Sequence, residues 1–244
     1  MGLALIKSKW ENGGCLVFRT LDNYIVDIWS SRALILNPMH AGTIGTGAYF
    51  GGQWLVSAVN SGTVAGGDVV TLTTGAADND DTELASSIGW NAAQGLSLEC
   101  HAAPSSATCG FCIGFSDAQG EDADKLAITF DTATATTNAS DAALFYHDYD
   151  ATSKVIRAMT VNDDTDSTIL ASTTAATAAT YNKYRIDVDL DGNADFWLDD
   201  VKIGTADTAV RSAVNLCAYV GLINRDGNSR SLAIKDLAVW QWRS

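Results

Sequence analysis

Residues 184–200 read YRIDVDLDGNADFWLDD, with Asp187, Asp189 and Asp191 at every second position and Gly192 directly after them. A helix-loop-helix calcium loop begins the same way, but it needs a bidentate Glu at its twelfth position and a helix on either side. Counted from Asp187, the twelfth residue is Leu198. Tyr184, Ile186, Val188 and Leu190 alternate with Arg185, Asp187 and Asp189, and Ala194, Phe196 and Leu198 continue the period of two. That is the period of a half-buried strand. Between the two runs stands Asp191-Gly192-Asn193, in which Gly supplies the positive φ of a tight turn. The stretch therefore predicts a β-hairpin with Asp187 and Asp189 on its polar face; a cation held between them is the alternative.

The rest of the chain agrees with a β-rich reading. Its 244 residues, 47% of them apolar, include 21 Gly and 2 Pro, enough for one large β-domain or two ordinary ones. No stretch sustains helical i, i+3, i+4, i+7 spacing; short apolar runs are separated by Ala, Thr, Ser and Gly, and the expected class is all-β. Of the 29 acidic residues only Glu11, Glu83, Glu99 and Glu121 are Glu, and Asp favours turns and strand ends where Glu favours helices. The formal charge of −14 comes without a basic cluster, which excludes nucleic acid as a partner because phosphate binding needs local Lys and Arg. No apolar run approaches the length of a membrane helix, so no membrane partner is expected.

Five cysteines, Cys15, Cys100, Cys109, Cys112 and Cys217, cannot all pair within one chain, and MGLALIKSKW at the start does not resemble a secretory leader. Synthesis and retention in a reducing cytoplasm are expected. The CGFC of residues 109–112 sits in TCGFCIGFSD, which alternates as a strand. Cys109, Phe111, Ile113 and Phe115 then share one face and Cys112 the other, a packing arrangement rather than a redox or zinc site.

Charge divides the chain. Residues 1–60 hold four basic and three acidic residues, residues 61–244 hold 11 basic and 26 acidic. The first part contains NYIVDIW, RALIL and the Gly-rich HAGTIGTGAYFGGQW, too many glycines among large aromatics for a comfortable independent core. Residues 1–65 are read as an N-terminal β-rich arm that completes itself against the main domain or another subunit. From about residue 66 short apolar runs follow one another with turn residues between them, from DVVTLTT to SLAIKDLAVWQW. Their spacing predicts a two-sheet antiparallel sandwich over residues 66–244, and ASTTAATAATYN at 171–182 is read as a loop within it.

The order of these runs resembles the concanavalin A-like, laminin-G-like jelly roll. The resemblance rests on GLSLEC (95–100), CIGFSD (112–117), YNKYRIDVDLDGNADFWLDDVKIG (181–204), AYVGLINRDG (218–227) and SLAIKDLAVWQW (231–242). It covers about residues 80–242 and departs from the family where the second hairpin turn, usually Asp-Gly, reads Asp199-Asp200. Such motifs identify a fold better than a function. The texture of the chain also resembles versions of this domain encoded by tailed bacteriophages as virion proteins.

Three functions follow as expectations. Glucan hydrolases of this fold resemble one another in a strand bearing Glu-x-Asp-x-x-Glu, which sets two carboxylates about 5 Å apart for a retaining mechanism. No two of the four Glu lie within five residues of each other, His40, His101 and His147 stand in unrelated contexts, and no Gly-x-Ser-x-Gly or His-Glu-x-x-His occurs. The expectation is that the chain is not an enzyme. A glycan-binding, lectin-like module would use exposed aromatics with Asp, with calcium as an optional organiser; Trp197 beside Asp195, and Tyr146 and Tyr149 in YHDYD, are its candidates. The leading expectation is a structural protein of a bacteriophage virion, a capsid decoration or cement protein. It would dock on the major capsid protein or another virion protein through Trp10, Trp29, Tyr49, Phe50 and Trp54, as a closed homo-oligomer for which a trimer is the working form.

Overall fold

The structure, a computed structural model, describes residues 7–11, 15–19, 25–27, 32–36, 42–50, 53–58, 62–119, 126–131, 134–167 and 169–241. Two large antiparallel sheets form a sandwich. The ten-stranded sheet runs, from edge to edge, Thr165–Asp166, Val155–Asn162, Ala142–Asp148, Cys109–Ser116, Asn215–Asn224, Asp81–Ser86, Trp54–Ala58 and Tyr49–Phe50, with Trp90–Asn91 and Leu170–Ala175 attached off this path. The nine-stranded sheet runs Val201–Ala206, Ala194–Leu198, Asn182–Val188, Leu96–Pro104, Ser231–Gln241, Val70–Thr73, Thr63–Ala65 and Thr43–Gly45, with Arg32–Ile35 attached to Ser231–Gln241.

The hairpin read from residues 184–200 is present, Asn182–Val188 pairing with Ala194–Leu198. Its side chains alternate as the sequence period requires: Tyr184, Ile186, Val188, Ala194, Phe196 and Leu198 are buried, and Lys183, Arg185, Asp187, Asp195 and Trp197 are half-buried. Gly192 turns the chain at φ +84°, and a Cβ there would lie 2.4 Å from the Val210 carbonyl oxygen, so both backbone conformation and space require glycine. The next turn carries Asp199 at φ 50° and Asp200 at φ 65°. Two successive positive φ values are the mark of a type I′ hairpin turn, so the departure from Asp-Gly changes the residue and not the backbone shape.

Between the sheets, aromatic edges meet faces: Phe145 lies 5.4 Å from Tyr184 and 5.4 Å from Phe196, both T-shaped, a geometry favoured by the ring quadrupole. Leu98, Phe111, Ile113, Phe115, Ile186 and Val220 complete this core. The CGFC strand behaves as read, with Cys109 and Phe111 in this core and Cys112 on the opposite face. Cys100, Cys109, Cys112 and Cys217 are buried free thiols.

Strands before residue 65 pair with the main domain: Trp54–Ala58 with Asp81–Ser86, Thr63–Ala65 with Val70–Thr73, and Arg32–Ile35 with Ser231–Gln241. These strands satisfy edges that would otherwise leave backbone groups unpaired. The first three strands, Lys7–Glu11, Cys15–Arg19 and Ile25–Asp27, form a separate antiparallel sheet. Two sequence expectations are corrected. Leu170–Ala175, which runs into the expected loop of 171–182, is a strand on Val155–Asn162. Finally, Ile128–Asp131 is not a sandwich strand; it pairs with Thr134–Thr137 in a two-stranded hairpin. Leu126, Ala127, Ile128 and Ala139 pack with Cys112, Leu144, Tyr146 and Tyr219 on the far face of the ten-stranded sheet, so its central strands are buried on both faces.

Candidate functional site

That covered far face carries a row of buried polar side chains. Antiparallel register aligns Glu83, Gly221, Cys112, Tyr146 and Arg157 in one row across five strands. Two residues along lies Asp81, Ile223, Gly110 and Asp148, and on the other side Ala85, Tyr219, Gly114, Leu144 and Met159. Because side chains at i and i+2 share a face, two carboxylates, Asp81 and Glu83, stand on one strand face roughly 7 Å apart at their Cα atoms. Both are buried.

Gly221 creates the room at the centre. Lacking a side chain, it lets the Tyr219 ring lie over it, and a Cβ would come 2.7 Å from Tyr219 Oη and 2.8 Å from Leu126 Cδ2. From there the Tyr219 hydroxyl donates to Glu83 Oε1 and accepts from the Ala127 N–H at 3.2 Å. The Cys112 thiol donates to the Ile128 carbonyl at 3.1 Å. A chain of hydrogen bonds thus ties the 126–128 segment to a buried carboxylate. Burial, with the Glu83 charge second, pushes the Tyr219 phenol well above the ordinary tyrosine range. Burial likewise pushes Tyr146 up to about 12, while the Arg157 guanidinium beside it pulls the other way.

Along the Asp148 row the site reaches the loops. Asp148 accepts from Arg225 Nε at 3.0 Å and Nη2 at 2.7 Å, a bidentate pair whose side chains are 4% and 6% exposed. Arg225 Nη1 donates to Asn79, and Asp150 approaches Arg225 at 3.5 Å. Tyr149, half-buried, follows the strand, with Lys154 Nζ 3.2 Å from its ring centroid. His147 points into the core against Phe111, and burial holds its imidazole below the ordinary histidine range.

The four glycan candidates do not converge. Tyr146 is in the central row and Tyr149 at its loop end, whereas Trp197 and Asp195 lie on the outer face of the other sheet. There Glu99, Arg185, Trp197 and Lys202 make one cross-strand row, and Ser97, Asp187, Asp195 and Thr205 the next. Asp195 accepts from Thr205 at 2.7 Å and pairs with Lys202 at 2.8 Å; Lys202 Nζ lies 5.7 Å from the Trp197 ring. This face is a ladder of mutually satisfied charges, so Trp197 and Asp195 are not brought to the polar row. Of the arm aromatics, Phe50 and Trp54 are 0% and 2% exposed inside the sandwich while Tyr49 is 58% exposed. Trp10 falls in the first strand and Trp29 outside the described residues. Phe50 and Trp54 therefore fill this chain's own core, not a docking surface.

The aspartates that first suggested calcium are engaged within the chain. Both Asp189 oxygens are taken, Oδ1 by the Asp191 and Asn193 N–H groups at 2.9 Å and Oδ2 by Asn193 Nδ2 at 2.9 Å. Asp187 accepts from Ser97 at 2.7 Å and Arg185 at 2.9 Å. Among the described residues no group of three or more His, Cys, Asp or Glu is placed to hold a metal ion.

Sequence reasoning missed Asp81, Glu83, Tyr219, Arg157 and Arg225. The one local signal was the pair of acids at i and i+2 in DTELAS; the rest of the row is created by register between distant strands.

No family model matches the sequence, and no curated protein is similar to it. Solved structures are similar in fold. The carbohydrate recognition domain of Emp47p aligns with a TM-score of 0.57 at 11% identity, covering 82% of this chain and 95% of that one. A Bacillus licheniformis β-glucanase gives 0.54 at 13%, covering 83% and 98%. The endo-β-1,4-glucuronan lyase of Trichoderma reesei gives 0.54 at 9%, covering 87% and 95%. The concanavalin A-like jelly roll is therefore the fold of this chain. The exclusion of catalysis is overturned, since the same fold at this coverage carries a glucanase and a lyase as well as a recognition domain. A missing Glu-x-Asp-x-x-Glu does not remove paired carboxylates from the sheet.

Proposed function

We propose that this chain binds carbohydrate as a lectin-like module, through the rim of its ten-stranded sheet where Arg157 and Tyr149 stand beside the covered polar row. One observation carries the reading: register alone brings Glu83, Tyr146 and Arg157 into one row beside Asp81 and Asp148, with Tyr149 at the rim. Sugars are recognised by a few placed polar groups next to aromatic rings, and the rim of this row offers the Arg157 donors and the Tyr149 ring. Its reachable end is the half-buried Arg157 and Tyr149, while Glu83 and Tyr146 are buried, Tyr146 beneath Leu126, Ala127, Ile128 and Ala139. Fold neighbours named for a carbohydrate recognition domain and a glucanase support the same substrate class. The virion reading has no such support, and two of the five aromatics it relied on are core residues.

The test is a glycan array probed with the full chain, followed by titration calorimetry on the best oligosaccharide. Tyr149→Ala is expected to weaken binding at least fivefold without altering the fold. Binding to no glycan on the array would overturn the reading.

A further inference from the structure

Arg157 differs from the other arginines whose side chains are described. Arg185 pairs with Asp187, Arg211 with Asp141, Arg225 with Asp148 and Arg230 with Asp226. Among the described residues Arg157 pairs with no carboxylate, and its Nε is buried without a hydrogen bond. It occupies the end of the polar row, with its guanidinium against the Tyr146 phenol, and is half-buried. A chain with 29 acidic residues has acceptors in excess, yet among the described residues none is paired with this cation. A guanidinium stays charged at any working pH and offers a planar fork of donors that matches a carboxylate.

We propose that Arg157 receives the carboxylate of an acidic sugar, so that the site selects uronate- or sialate-bearing glycans over neutral ones. The inference rests on the carbohydrate-binding reading and deepens it. The sugar would sit at the rim with its carboxylate on Arg157, outside the covered Tyr146. The overall negative charge of the chain does not forbid this, because repulsion from distant surface acids is screened beyond about 8–10 Å at physiological salt while the contact at Arg157 is direct.

The experiment compares matched pairs by calorimetry with the full chain: tetra-β-1,4-glucuronate against cellotetraose, and sialyllactose against lactose. The proposal expects the acidic member of at least one pair to bind tenfold or more tightly, equivalent to 1.4 kcal/mol; which pair responds separates uronate from sialate. Arg157→Gln should abolish that preference, and Arg157→Lys should keep part of it. Equal binding of acidic and neutral members by the wild-type chain overturns this inference and leaves the carbohydrate reading standing. Failure to bind any of the four probes overturns this inference, and failure across the array overturns the carbohydrate reading itself. The wild-type comparison decides the matter even where a variant does not fold.

Discussion

Replacing Tyr219 by Phe removes one oxygen and almost no volume, so its effect isolates the hydrogen-bond chain from Ala127 through Tyr219 to Glu83. A hydrogen bond to a charged group contributes about 1.5–3 kcal/mol, and a buried N–H left without its partner costs about 1–3 kcal/mol. With partial relaxation of the 126–128 segment the sum is about 3 kcal/mol. At about 2–4 °C per kcal/mol for a chain of this size, the melting temperature should fall by roughly 6–12 °C. Thermal unfolding followed by circular dichroism measures the fall, and amide hydrogen exchange locates it: the Ala127 and Ile128 amides should lose protection before those of the Leu96–Pro104 strand. A fall under about 2 °C, with unchanged exchange at Ala127, would refute the assignment of Tyr219 as the latch between segment and sheet.

Asp148→Ala leaves the Arg225 guanidinium, 6% exposed, without its bidentate partner; a loss of about 3–5 kcal/mol in denaturant unfolding is expected. Asp200→Gly should instead stabilise by about 0.5–1 kcal/mol, since glycine relieves the φ of 65° and only an exposed ion pair to Lys183 is given up; the same unfolding assay checks it. Burial raises the Cys109 thiol from 9.0 to about 12 and the Tyr146 phenol from 10.0 to about 12. Both groups are neutral when protonated, so the unfolded chain ionises first, and stability is full below pH 9 and falls as pH rises toward about 12. A pH series of melting temperatures tests the sign, and native Cys109 should resist iodoacetamide at pH 8.5 until the chain is unfolded.

The Asn182–Leu198 hairpin was legible because everything it needs is local: a period of two on each side of a turn with glycine where φ is positive. The face assignment of Cys109 and Cys112 was legible for the same reason. Register between distant strands was not, because nothing near Glu83 reports that Gly221 and Tyr219 come to lie beside it. That Ile128–Asp131 leaves the sandwich was not legible, because ITFD alternates equally well in a separate hairpin and in a sheet. Glycine-rich residues 43–65 looked like an arm since short edge strands bury little by themselves; their partners at 70–73 and 81–86 supply the burial.

Each large sheet holds one of the last strands near its middle: Asn215–Asn224 between Cys109–Ser116 and Asp81–Ser86, and Ser231–Gln241 between Leu96–Pro104 and Val70–Thr73. Until residues 215–241 arrive, neither sheet can join its two halves, and those halves present facing strand edges with unsatisfied backbone groups. Pairings that span more than a hundred residues also carry a large loop-closure cost before any contact repays it. Folding of this chain is therefore slow and late in synthesis, and a fragment ending before residue 215 should aggregate through those open edges rather than fold in part.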